Sequence, residues 1–210
     1  MSLEPQSRAQ RKLIAAARLS AAQLSPALPP AWFVTDPART PDPAAIARGL
    51  PAGSGVIYRH FGAADREGVA KELAGICGRR GLAFLVAADP GLAAKLGADG
   101  VHWPFRLRNE ARRWQTRFAV QTVSAHSVRE LRVAAGLPVD GVLLSTVFAS
   151  RSASAGPALG ALKFRRLARD AGLPVFALGG VTPENAGRVA GAAGFAAVDG
   201  MAAFGPEIRT

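Results

Sequence analysis

The chain has 210 residues, 49% of them hydrophobic, and a mean hydropathy of +0.15. That is enough for one domain with a sizeable core and is not the composition of a disordered segment. No apolar run approaches the roughly 18 residues of a membrane span, and the arginine-bearing N-terminus lacks the apolar stretch of a signal peptide. A cytoplasmic protein with no membrane partner is expected.

The lone cysteine, Cys77, leaves no internal disulfide to form and falls on one helical face with Val69, Leu73 and Ile76, as a core residue would. The net charge of +11 raises the question of nucleic acid. The basic residues are nearly all arginines, spread over almost every predicted helix. Pairs such as Arg79-Arg80 and Arg165-Arg166 read as solvated helix faces rather than one stripe. No nucleic-acid partner is expected, although a positive field would draw phosphorylated metabolites.

In chain order, residues 7–23 form an amphipathic, arginine-rich helix that stops before Pro26, Pro29 and Pro30. Residues 1–30 are therefore an N-terminal helix with a Pro-rich linker, and 31–210 a separate unit. Apolar strand-like runs follow at 32–34, 56–59, 83–87, 100–102, 118–124, 141–147, 175–178 and 195–198. Helical stretches separate them at 42–50, 64–80, 90–97, 108–116, 127–136, 158–171 and 183–193. Near-continuous apolar strands alternating with helices imply a parallel sheet covered on its outside. Eight such units predict an α/β TIM (β/α)8 barrel with an extra N-terminal helix and a truncated last helix. The N-terminal helix is a candidate to cover the exposed side or the barrel floor.

Chemistry in such a barrel sits at the C-terminal strand tips. Those tips carry Asp36, Arg59 and His60, His102, Ser124 and His126, and Ser145 and Thr146, which puts all three histidines at one end. The last two strands end in Gly179-Gly180 and in Asp199-Gly200-Met201. Paired glycine-tipped loops at this place form a phosphate cup, because a Cβ would hold a phosphate away from the backbone amides. An ordinary turn would also use these glycines.

Ser127-Val128-Arg129-Glu130 is a capping-box pattern that starts a helix at Ser127 and pins His126 between strand and helix. The positive helix end favours a neutral imidazole, suited to accepting a proton. A histidine that only packs in the mouth fits the same pattern. His102, before Trp103-Pro104, reads as structural or as a pocket wall, and Arg59 as an anion clamp or half of a barrel ion pair. Residues 149–156, rich in Ser and Ala and including Ser150 and Ser152, read as a flexible loop over the mouth. No metal-ligand cluster is visible in the sequence.

Val34-Thr35-Asp36, Gly97 to His102, Val123 to Ser127, Asp140 to Phe148 and Ala177 to Val181 together resemble the thiamine phosphate synthase/TenI family over roughly residues 31–204. The resemblance implies a TIM barrel of thiamine biosynthesis that binds a small phosphorylated thiazole, and it suggests a homodimer. It assigns substrate binding to Arg59, His102, Ser124, Ser145, Ser150, Ser152, Gly179, Gly180, Asp199, Gly200 and Met201.

Synthases of the family use Mg2+ to carry a leaving diphosphate. The chain departs from them there. Of the family's Gln-x-Arg-x-Lys strand only Arg59 survives, and its Asn-Asp pair aligns with Ala87-Ala88. Asp89 or Glu110 would substitute only with a shift of register. This pattern is similar to the TenI branch, where a histidine at the place of His126 aromatises a thiazole phosphate tautomer without cofactor or metal. A tautomerase with His126 catalytic is the leading expectation. A synthase with displaced Mg2+ ligands and a non-catalytic phosphate-ligand binder are the alternatives.

Overall fold

A computed structural model describes residues 6–25, 27–152, 155–192 and 194–206. Eight strands, β1 (Ala31–Val34), β2 (Gly55–Tyr58), β3 (Ala83–Ala87), β4 (Gly100–Trp103), β5 (Val120–Ala125), β6 (Gly141–Leu144), β7 (Val175–Ala177) and β8 (Phe195–Ala197), pair in chain order. Every pairing is parallel, and β1 pairs with β8, so the sheet is a closed barrel. The predicted strand order therefore holds, with ends shifted by at most three residues.

The helices are α1 (Arg8–Ala21), α2 (Pro43–Gly49), α3 (Arg66–Arg80), α4 (Pro90–Lys95), α5 (Ala111–Trp114), α6 (Val128–Ala134) and α7 (Ala161–Asp170). Among the described residues none is long and apolar enough to cross a membrane.

Alternation along each strand splits the core into two layers. Trp32, Val34, Ile57, Leu85, Leu143 and Phe176 fill the barrel, while Phe33, Val56, Tyr58, Phe84 and Val86 face the helices. Cys77 belongs to the helix-facing layer, where burial pushes its thiol up to about 12. Inside, Trp32 and Phe176 meet edge to face at 6.2 Å and 89°. Gly55 and Gly194 make room for them, since a Cβ on either would run into the Trp32 or the Phe176 ring.

Two helical expectations change. Of the predicted 183–193 helix, the described residues 183–192 hold only a 3-10 turn at Ala186–Arg188. The Asn185 side chain is committed to the preceding turn, accepting from Thr182 N (2.9 Å) and donating to the Gly180 carbonyl (2.8 Å), which competes with a helix start. The 108–116 helix begins as a 3-10 turn at Phe105–Glu110 and is helical only over α5.

The last helix is a six-residue 3-10 turn, Asp199–Phe204. Helix α1 packs on both this turn and Ala186–Arg188, completing the outer ring where an eighth helix would lie. Its start is a Ser7/Gln10 capping box, its buried face is Leu13, Ala16 and Ser20, and Gln10 Nε2 donates to the Ala203 carbonyl at 3.0 Å. Leu13 is 1% exposed. Leu13→Ala should cost about 2–5 kcal/mol in urea unfolding. A loss under about 1 kcal/mol would mean α1 contributes little to the barrel's stability.

Candidate active site in the barrel mouth

At the C-terminal ends of the strands lies a cavity of about 380 Å3. Arg59, His102, Ser124, His126 and Ser145 line it, as do Ser150, Ser152, Gly179, Gly180 and Asp199. Three other sequence candidates lie elsewhere. In β2 the alternation that turns Arg59 to the mouth turns His60 outward, where it stacks on Tyr58 at 4.8 Å and burial lowers its basicity. Gly200 is buried, and a Cβ there would meet the Val181 carbonyl at 2.5 Å, so it joins the β7 and β8 loops. Met201 is 1% exposed and packs on the α1 side with Leu13 and Phe204. Residues 153–154 of the Ser/Ala loop lie outside the described residues.

His126 is held from two elements. Its backbone N–H donates to Glu130 Oε2 (2.7 Å), while Ser127 Oγ, the cap of α6, accepts from Glu130 N at 3.1 Å. The glutamate thus reaches one residue further back than a reciprocal capping box would. On the other side His126 Nδ1 and Ser145 Oγ, from the end of β6, are 2.8 Å apart. That leaves Nε2 for a ligand.

His102 is 5% exposed, with Thr122 Oγ1 at 2.9 Å from Nδ1 and Ser124 Oγ at 2.8 Å from Nε2. Burial, aided by the nearby Arg59 and His126, pushes its pKa down to about 3, so the ring is neutral. Thr122 is fully buried and has no other hydroxyl partner among the described residues. Its proton therefore goes to Nδ1, the Nε2–H goes to Ser124, and the Ser124 proton is left for the mouth. His102 is a pocket wall that orients a donor, and Thr122 is a site residue the tip positions alone did not reveal.

Two ion pairs cross the rim. Arg59 lines the cavity and donates to Asp36 Oδ2 at 2.9 Å, and Asp36 Oδ1 accepts from the Ala38 and Arg39 amides. Asp199 is clamped by Arg39 through Nε (2.9 Å) and Nη2 (2.5 Å), with Arg151 Nη2 at 3.7 Å. Arg39 follows β1 by five residues, beyond the strand tip, and only the Asp36-Pro37 turn signal places it here.

Gly179 (φ +88°) and Gly180 (φ +64°) have left-handed backbones. A Cβ on Gly179 would come within 2.9 Å of Thr146 Cγ2, and one on Gly180 would strike the Ala149 carbonyl. Among the described residues the N–H groups of Gly179, Gly180 and Val181 donate to no protein group. Such a run of unpaired amides is a ready anion cradle.

A family model described as thiamine monophosphate synthase matches residues 31–201. The chain belongs to this family. The thiamine-phosphate synthase of Geobacillus kaustophilus is 35% identical over 146 residues, which is 66% of this chain and 65% of that protein. The chain thus spans just under two thirds of that relative's length. The Erythrobacter litoralis thiamine-phosphate synthase is 33% identical over 79% of this chain and 83% of its own length. Among solved structures, thiamine phosphate pyrophosphorylase from Pyrococcus furiosus superposes with a TM-score of 0.69 at 19% identity, covering 90% of this chain and 94% of that one, a likeness of fold.

The carboxylates that could hold Mg2+ in this thiamine monophosphate synthase family member are each already paired with an arginine. Asp89 caps α4 and pairs with Arg66 at 2.5 Å, Glu110 pairs with Arg113 at 3.2 Å, and Asp36 and Asp199 are each taken by an arginine. Among the described residues no three His, Cys, Asp or Glu side chains come together as ligands.

Because His102 is neutral when folded but has an ordinary value near 6.5 when unfolded, acid favours the unfolded chain. Its contribution is complete above pH 6.5 and fades as pH falls toward about 3, at up to about 1.4 kcal/mol per pH unit. NMR titration should show no His102 protonation above pH 5. Titration near 6.5 would overturn the buried Thr122–His102–Ser124 chain.

Proposed function

We propose that this chain binds a thiazole phosphate in the barrel mouth and tautomerises it by moving one proton through His126. The observation that carries the reading is the His126–Ser145 pair facing the same cavity as the unpaired glycine amides. The phosphate would sit on the N–H groups of Gly179, Gly180 and Val181, and the Ser124 hydroxyl would donate to the heterocycle or its carboxylate. Nδ1–H bonded to Ser145 Oγ leaves a bare Nε2 lone pair. Nε2 takes a proton from a ring carbon, giving an imidazolium, and returns it to another atom of the conjugated system. No atom is gained or lost, and the Nδ1–H bond to Ser145 persists throughout, so Ser145 is a positioning residue. No step requires a metal or cofactor.

The curated relatives favour a second reading, since they bear the name thiamine-phosphate synthase. In that case the mouth would join a pyrimidine diphosphate to the thiazole phosphate, with Mg2+ carried mainly by the substrate. Incubation with both substrates separates the two. Mg2+-dependent condensation would establish the synthase reading, whereas conversion of the thiazole tautomer alone, unaffected by a chelator, supports the tautomerase.

His126→Asn should lower tautomer turnover by about 10²–10⁴-fold with KM nearly unchanged. Equal turnover would remove His126 from the chemistry. Ser145→Ala should lower kcat by about tenfold, the loss of one hydrogen bond to a charged ring, and shift the pH profile. Ser145→Thr, which keeps the hydroxyl, should restore most of it, and an unchanged pH profile in Ser145→Ala would contradict the positioning role.

A further inference from the structure

The rim contains a carboxylate where an anion is expected to bind. Asp199 lines the same cavity as Gly179 and Gly180, and a phosphate there would meet its negative charge. The carboxylate is 40% exposed, so burial does not silence it. Arg39 is what offsets it. The pair joins residues 160 apart in sequence, through Nε and Nη2 on the two carboxylate oxygens, the side-on bidentate geometry of a strong charge-assisted pair.

A guanidinium has five N–H donors, and this clamp uses two. Arg39 Nη1 makes no hydrogen bond within the described residues, is not among the buried unpaired atoms, and belongs to a side chain that lines the cavity. The Arg39 backbone is itself fixed, because its N–H and that of Ala38 both donate to Asp36 Oδ1, and Asp36 is in turn tied to Arg59. The result is a cation of fixed orientation with spare donors, lining the same cavity as the glycine cradle. Arg151, 90% exposed and 3.7 Å from Asp199, supplies a second, looser positive charge.

We infer that Arg39 is an anion-binding residue of the mouth, oriented by Asp199, and that it adds charged donors to the glycine cradle for a phosphate group. Asp199 is then a positioning residue and not a substrate ligand. The inference rests on the phosphate half of the proposed function and is independent of the proton transfer. Arg39 neutralises Asp199, holds its own free edge to the cavity, and contributes donors that the three backbone amides lack. Without Arg39 the mouth keeps the cradle but gains an unpaired negative charge beside it.

Calorimetric titration with inorganic phosphate, on the full chain and at low ionic strength, tests this. Arg39→Ala should weaken binding by about 10–100-fold, the value of a charged hydrogen bond. Asp199→Asn, which keeps the shape, should change affinity by no more than about threefold, because relief of one unit charge a few ångströms away in water offsets the loss of the clamp that orients Arg39. Arg39→Ala in the Asp199→Asn background should cost much less than in the wild type, because there Arg39 is no longer held in its binding orientation. That unequal cost is the expected signature; if Arg39→Ala alone is unstable, Arg39→Lys, which keeps the charge and loses the bidentate fork, takes its place in both backgrounds. Wild-type affinity in Arg39→Ala would overturn the role of Arg39, and equal costs in both backgrounds would overturn its orientation by Asp199; either result leaves the cradle standing. Absence of phosphate binding in both wild type and Asp199→Asn would instead overturn the cradle.

Discussion

Closure of eight parallel strands into one ladder leaves each residue of a strand two destinations, the barrel interior or the helix layer, and the site depends on that choice. In β2 the same step that sends Ile57 inside and Tyr58 outside puts Arg59 at the mouth and His60 against Tyr58. In β4 and β5 it stacks His102, Thr122 and Ser124 into one hydrogen-bonded column. The interior below is filled by Trp32 and Phe176, so the barrel has a packed floor and an open polar mouth. A slip of one residue in any strand would exchange these sets.

Much of this was legible in the sequence. The eight strands, the amphipathic N-terminal helix and the end of the barrel bearing the chemistry follow from hydrophobic period, turn residues and strand order. Histidine placement at strand tips was only partly legible, because a tip gives position along the strand but not the facing. His60 and His126 look alike in sequence, yet one is buried behind the sheet and the other faces the cavity. The 183–193 helix failed because Asn185 bonds the backbone of its own turn, a local competition that hydrophobic period does not register. Met201 reads as a mouth residue only until the short final turn is seen to carry it under α1.

The Arg39–Asp199 clamp was beyond sequence reasoning for a different reason. Its partners are separated by nearly the whole chain and meet only because β1 and β8 are neighbours at the seam of the barrel. The same closure brings the β1 loop, the serine loop after β6 and the glycine turn after β7 around one space. Charge at the mouth is therefore managed by pairing rather than by absence: every carboxylate there has an arginine, and the glycine amides remain for an incoming anion. This fits a site that holds a phosphorylated ligand through protein groups and gives a metal little purchase.

The central claim, that this mouth recognises a thiazole phosphate without a protein-held metal, is tested most directly by titrating carboxylated hydroxyethylthiazole phosphate in the calorimeter, with Mg2+ and with chelator. The account predicts micromolar binding of the same strength in both. Binding that appears only with Mg2+, or no binding at all, would contradict it.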